Sequence, residues 1–188
     1  MAKKKSSKKS LDLSFIVNLV VILLGVLTIC TLFMPVFKID TVVGDLLDHS
    51  IKGSDVISGA FASEVTKDMT AGAGTIYTLR NTEEISFITN VFSWGYIITL
   101  VLACASIVFA VLRILNMKFK MVNVIIGGLL ALVAVVTFIF AIVLSSKYAS
   151  LNTILGNVTS KAIMNIAVYL LILTLVGGLG QVYSATRK

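Results

Sequence analysis

The side chains able to do chemistry are few and scattered. His49 is the only histidine in the chain, with Asp45, Asp48 and Asp55 close to it in sequence. Imidazole plus carboxylates can hold a divalent metal, but one His among solvated acids reads as surface charge. Cys30 and Cys104 fall inside apolar runs without CxxC spacing, which points to buried thiols rather than redox chemistry. Ser14, Ser93 and Ser106 have no His or Lys at their depth to activate them. Gly72-Ala73-Gly74 lacks the Lys-Ser/Thr ending of a phosphate loop. The sequence therefore predicts no catalytic, cofactor-binding or metal-binding residue, and reads as a non-enzyme.

The elements that carry these residues are long and apolar. Of 188 residues 57% are hydrophobic and 13% charged, against about 45–50% and about 25% in soluble domains. Four runs are free of Asp, Glu, Lys and Arg: 13–37, 85–112, 121–143 and 162–182. Each matches the roughly 20 residues a helix needs to cross about 30 Å of hydrocarbon. The expected fold is a membrane all-α bundle of four transmembrane helices, with a small α/β extracellular cap from the first outer loop. The connecting pieces are a basic terminus (1–12), an outer loop (38–84), an inner loop (113–120), a second outer loop (144–161) and a tail (183–188). The first run is too long for a signal-peptide core and reads as an uncleaved anchor.

Charge gives the orientation. The two termini and the inner loop carry ten basic residues against Asp12, whereas the two outer loops carry six basic and eight acidic residues. The positive-inside rule then places both termini in the cytoplasm, in the plasma membrane. The basic excess reflects topology and does not predict nucleic-acid binding. Lys3, Lys4, Lys5, Lys8 and Lys9 are expected to face anionic lipid.

The first outer loop shows local pattern. Ile39, Thr41 and Val43 alternate as in a strand. Ser54 or Asp55 can cap a helix whose Ile57, Phe61 and Val65 form one stripe, packed against a strand at Thr75–Leu79. Asn81 and Glu84 have capping-box spacing at the start of the second span. Asp45, Asp48, Asp55 and Asp68 would face solvent and a basic or polar partner. In the second outer loop, Gly156-Asn157 reads as a turn and Thr159 or Ser160 as a helix cap, while the Asn157-Val158-Thr159 triplet is discounted as a glycosylation site.

Lipid provides no hydrophobic force between helices, so small residues mark close packing. Gly127 and Gly128 in the third span and Gly177 and Gly178 in the fourth lie at matching depth and are expected to meet. Gly25 is expected to meet Ala103, Ala105 and Ser106 of the second span. Asn18, Asn90, Asn123 and Asn165 read as interhelical hydrogen-bonding residues, and alternatively as the lining of a polar path. Trp94, Tyr96 and Tyr183 suit interfacial belts.

The layout of cytoplasmic ends, a long first outer loop with strand-like segments, a short inner turn and a smaller second outer loop resembles the claudin-type four-span proteins. The family's Trp and Cys signature in that loop is missing, since no Trp or Cys lies between Lys38 and Glu84. Leu32–Lys38 followed by a Ser-Gly-containing loop is also similar to small uncharacterised four-span proteins of low-GC bacteria. The expected function is protein–protein interaction or assembly through the outer loop, with another membrane or extracellular protein or with a second copy. A channel or transporter subunit is the alternative.

Overall fold

The computed structural model describes residues 13–41, 49–57, 77–78, 82–115, 117, 119–148, 152–153 and 160–186. Lys3, Lys4, Lys5, Lys8, Lys9, Asp45, Asp48, Asp68, Phe61, Val65, Asn81, Asn157 and Thr159 lie outside them. Among the described residues four helices are long and apolar enough to cross a membrane: α1 (Leu13–Cys30, extended by a 3-10 turn at Thr31–Phe33), α3 (Thr82–Ile114), α4 (Lys120–Tyr148) and α5 (Ile166–Thr186). They form a ring in which α1 and α4 each pack against both α3 and α5, while the α3–α5 diagonal is much weaker. The short link from α3 to α4 makes these two antiparallel neighbours.

Outward positions are apolar, as in Leu23, Val101, Leu132 and Leu179. Asn18, Ser106, Asn123, Thr174 and Gln181 are buried instead. This distribution inverts that of a water-soluble bundle and suits a bilayer.

The expected 13–37 span is shorter as a helix. Pro35-Val36-Phe37 belongs to β1 (Pro35–Thr41). The residue before a proline disfavours the helical region, and Met34 is extended at φ −94°, ψ 150°. β1 is the centre of an antiparallel sheet, with β2 (His49–Lys52) on one side and β5 (Ser160–Met164) on the other. The 162–182 span likewise loses its first residues to β5, so the expected cap at Thr159 or Ser160 is replaced. Asn165 caps α5 instead, its Oδ1 accepting the Ile166 amide at 2.7 Å. It is therefore a terminus residue rather than an interhelical one. Two further short strands, β3 (Tyr77–Thr78) and β4 (Asn152–Thr153), pair with each other and tie the two long connections together.

Phe37 stands opposite Ile51 and Met164, and Lys38 opposite Ser50 and Ile163. Since strand side chains alternate, Phe37 and Ile51 face the bundle and are buried, while Lys38, Ser50 and Ile163 face away and are exposed. β2 runs into α2 (Gly53–Ile57). Here the buried residue is Val56, and Ile57 is exposed. The helix begins before the expected cap, which shifts the phase of the stripe by about 100° per residue. Asp55 is its third residue and not its cap: the carboxylate reaches back to the Lys52 amide at 2.9 Å, one half of a capping box.

Three cross-helix pairs set relative heights: Thr28 with Thr174, Gly127 with Gly178, and Gly95 with Thr137. Counting from them puts exposed Phe33, Trp94 and Tyr169 within about one helical turn of a common level. Exposed Leu13, Leu115 and Met117 share a second level about 30 Å away. That separation matches a bilayer's hydrocarbon core, and the sheet lies just beyond the aromatic level.

Candidate functional site: the sheet-to-bundle joint and the buried hydrogen-bond chains

The joint is built where α1 ends. Thr31 closes the 3-10 turn by donating its hydroxyl to the Thr28 carbonyl at 2.6 Å. A hydroxyl has one proton, so the 2.6 Å contact to Tyr96 is a bond donated by the tyrosine. Tyr96 is 1% exposed and not the interfacial belt residue its neighbourhood in sequence suggested. The belt reading describes Trp94 instead, whose ring is 66% exposed. Gly53 opens α2 directly above this bond. A Cβ there would collide with the Tyr96 hydroxyl and the Thr31 carbonyl, and the Gly53 amide bonds the Met34 carbonyl at 3.1 Å. Phe92 completes the seat, stacked on Tyr96 at 6.1 Å and edge-on to Phe37 at 5.4 Å between centroids. Around it Val36, Ile51, Val56, Ile88, Leu144, Val168 and Leu171 form one apolar cluster.

Below the joint the interior changes character. The Thr28 and Thr174 hydroxyls lie 2.7 Å apart and link α1 to α5, each also within hydrogen-bond reach of a carbonyl of its own helix, Leu24 at 2.8 Å and Leu170 at 3.1 Å. Ser106 of α3 donates to Gln181 Oε1 at 2.6 Å. Gln181 Nε2 donates to Asn123 Oδ1 of α4 at 2.9 Å. Asn123 then donates to its own helix at the Phe119 carbonyl, also 2.9 Å. Nearer the end, Ser184 donates to Asn18 Oδ1 at 2.9 Å, leaving Ser14 to donate to Ser184 at 3.3 Å. Arg113 donates to the Ser184 carbonyl.

The glycines divide by face. Gly127 and Gly178 meet: a Cβ at Gly178 would stand 2.6 Å from the Gly127 carbonyl oxygen. Gly25 packs on Ile107, and a Cβ there would lie 3.5 Å from the Ala103 carbonyl. Gly128, expected in the α4–α5 seam, has open space around it and faces outward. Gly177, expected against α4, faces Leu24 of α1 instead. Depth was readable from the sequence, but each residue step turns the helix by about 100°, and that rotation was not. Asn90 is exposed and bridges no helices.

Gln181 and Ser184 carry two of the three chains yet escaped the sequence reading. Their signal was a polar, uncharged pair at i and i+3 near the end of an otherwise apolar run. The space between the chains, lined by Leu24, Gly25, Thr28, Ser106, Leu130 and Thr174 among others, is too tight for a water molecule. Cys30 and Cys104 are free thiols, half-buried and exposed respectively. Among the described residues no group of His, Cys, Asp and Glu is arranged to hold a metal ion.

No protein-family model matches the chain, and comparison with curated proteins and with solved structures gives no match.

Proposed function

We propose that the chain is a multi-pass protein of the plasma membrane, with both termini cytoplasmic, that uses its sheet end to bind another protein or a second copy of itself. One observation supports this most: the sheet continues directly from α1 and into α5 and is seated on Tyr96 and Phe92. It is thus a rigid platform from which both long connections depart. Asp45 and Asp48 lie on the connection from β1 to β2, and Asp68 follows α2. The described outward face adds Lys38, Ser50, Lys52 and Ile163. Steering of a charged or polar partner by such a face should weaken as salt rises. The charge count along the chain supports the orientation. Four helices long and apolar enough to cross a membrane are compatible with a four-span topology.

The buried polar residues Ser106, Asn123, Gln181, Asn18 and Ser184 bond one another across the helices, which favours a packing role for them within one chain. Photo-crosslinking in intact membranes separates binding at the sheet end from the channel-subunit reading. A photoreactive residue at Ser50 or Ser54 should give an adduct of one discrete size, and one at Val101 or Leu132 none. Adducts from the helix faces alone would favour the channel subunit.

A further inference from the structure

Within the four apolar spans the charged side chains are Arg113 and Lys120, both basic and both at the end opposite the sheet. The Arg113 guanidinium reaches across the bundle from α3 to the Ser184 carbonyl on α5. Ser184 in turn holds Ser14 and Asn18 of α1. Carbonyls in a last helical turn lack a partner within the helix, so capping accounts for this bond. It does not account for the rest of the group. Capping employs one of five N–H donors, and it holds the planar head, half-buried, where α1, α3 and α5 converge.

The height of this head bears on what the other donors meet. Counting from the Thr28–Thr174, Gly127–Gly178 and Gly95–Thr137 pairs places Arg113 level with Ile16 and Thr186, about one turn inside the level of Leu115 and Met117. For a hydrocarbon core of about 30 Å that is about one helical turn to the acyl side of the headgroup boundary. The segments leaving this end bring Lys8 and Lys9, Lys118, Arg187 and Lys188, with Asp12 the one acid among them. Basic residues outnumber acids in these segments, and a net positive field near the membrane surface draws a negative headgroup.

We propose that Arg113 is a binding site for the phosphate of an anionic phospholipid headgroup. The guanidinium fork matches two phosphate oxygens, which an ammonium does not. Fixed at one nitrogen by Ser184, it is preorganised, whereas the terminal lysines supply long-range attraction only. The function inferred for the sheet end does not depend on this site.

The test is thermal melting of the full chain in detergent micelles containing either phosphatidylcholine or phosphatidylglycerol. The wild type should melt higher with phosphatidylglycerol. Arg113→Gln should lose more than half of that gain. Replacing Lys3, Lys4, Lys5, Lys8 and Lys9 together with Gln should leave more than half of it. Arg113→Lys, which keeps the charge, serves if the Gln variant does not fold, and its gain should also fall. The proposal is overturned by a wild type indifferent to lipid, or by an Arg113→Gln loss equal in both lipids, which would make the residue a cap and nothing more. It is overturned equally by an Arg113→Lys gain matching the wild type, or by inorganic phosphate in phosphatidylcholine micelles reproducing the whole gain.

Discussion

The two halves of the bundle are held together by different physics. Next to the sheet the interior is Phe37, Phe92, Tyr96, Ile51 and Val56, large apolar side chains packed as in a soluble core. Toward the termini it is Gly25, Gly127, Gly177 and Gly178 with the Asn18, Asn123, Gln181 and Ser184 chains. In a bilayer the first half would border water beyond the aromatic level, where burying apolar area gains free energy. The second half would be surrounded by lipid as apolar as leucine, where only close approach and hydrogen bonds distinguish a helix partner from a tail. The composition of each half fits that difference in surroundings.

That contrast can be broken at four places. Phe92→Ala should be the most damaging, about 3–5 kcal/mol, because it empties the centre of the seat under the sheet. Gly178→Leu should cost about 1–3 kcal/mol by overpacking, since its side chain would meet backbone at Gly127 and Ala131. Gln181→Leu removes two interhelical bonds and should cost about 1 kcal/mol. A stabilised Gln181→Leu protein would mean that packing alone holds the terminal half. Gly128→Leu should fall within about 0.5 kcal/mol of wild type, its Cβ meeting open space. Reversible unfolding in mixed micelles measures all four on one scale. An equal cost at Gly128 and Gly178 would show that α4 is turned differently from the description above.

Lys38 illustrates what the sequence could and could not convey. Runs without charge locate the four helices because hydrocarbon tolerates little else. They say nothing of where a helix hands over to a strand, since Val36, Phe37, Ile163 and Met164 are as apolar as any lipid-facing residue. Counting to the first lysine therefore overshot the end of α1. The pairing of β1 with β5 joins residues on either side of two spans, and no local pattern carries it. Pro35 was the local sign of the handover. Tyr96 was misassigned for a related reason: two positions from exposed Trp94, an aromatic ring is consistent with facing outward or facing Thr31. Gln181 and Ser184 were hidden because uncharged polar residues leave an apolar run intact.

The position of β1 in the middle of the sheet has a consequence for how the chain is made. β2 follows it almost at once, but β5 is synthesised about 120 residues later, on the order of ten seconds at about 5–20 residues per second. Throughout that interval one side of β1 has no strand beside it, although α1 has long since emerged. The sheet becomes three-stranded only when the segment leading into α5 arrives, so its closure coincides with delivery of the last helix. A chain stopped before Ser160 would keep an open β edge, and the quality-control machinery of the cell could recognise that edge as unfinished work.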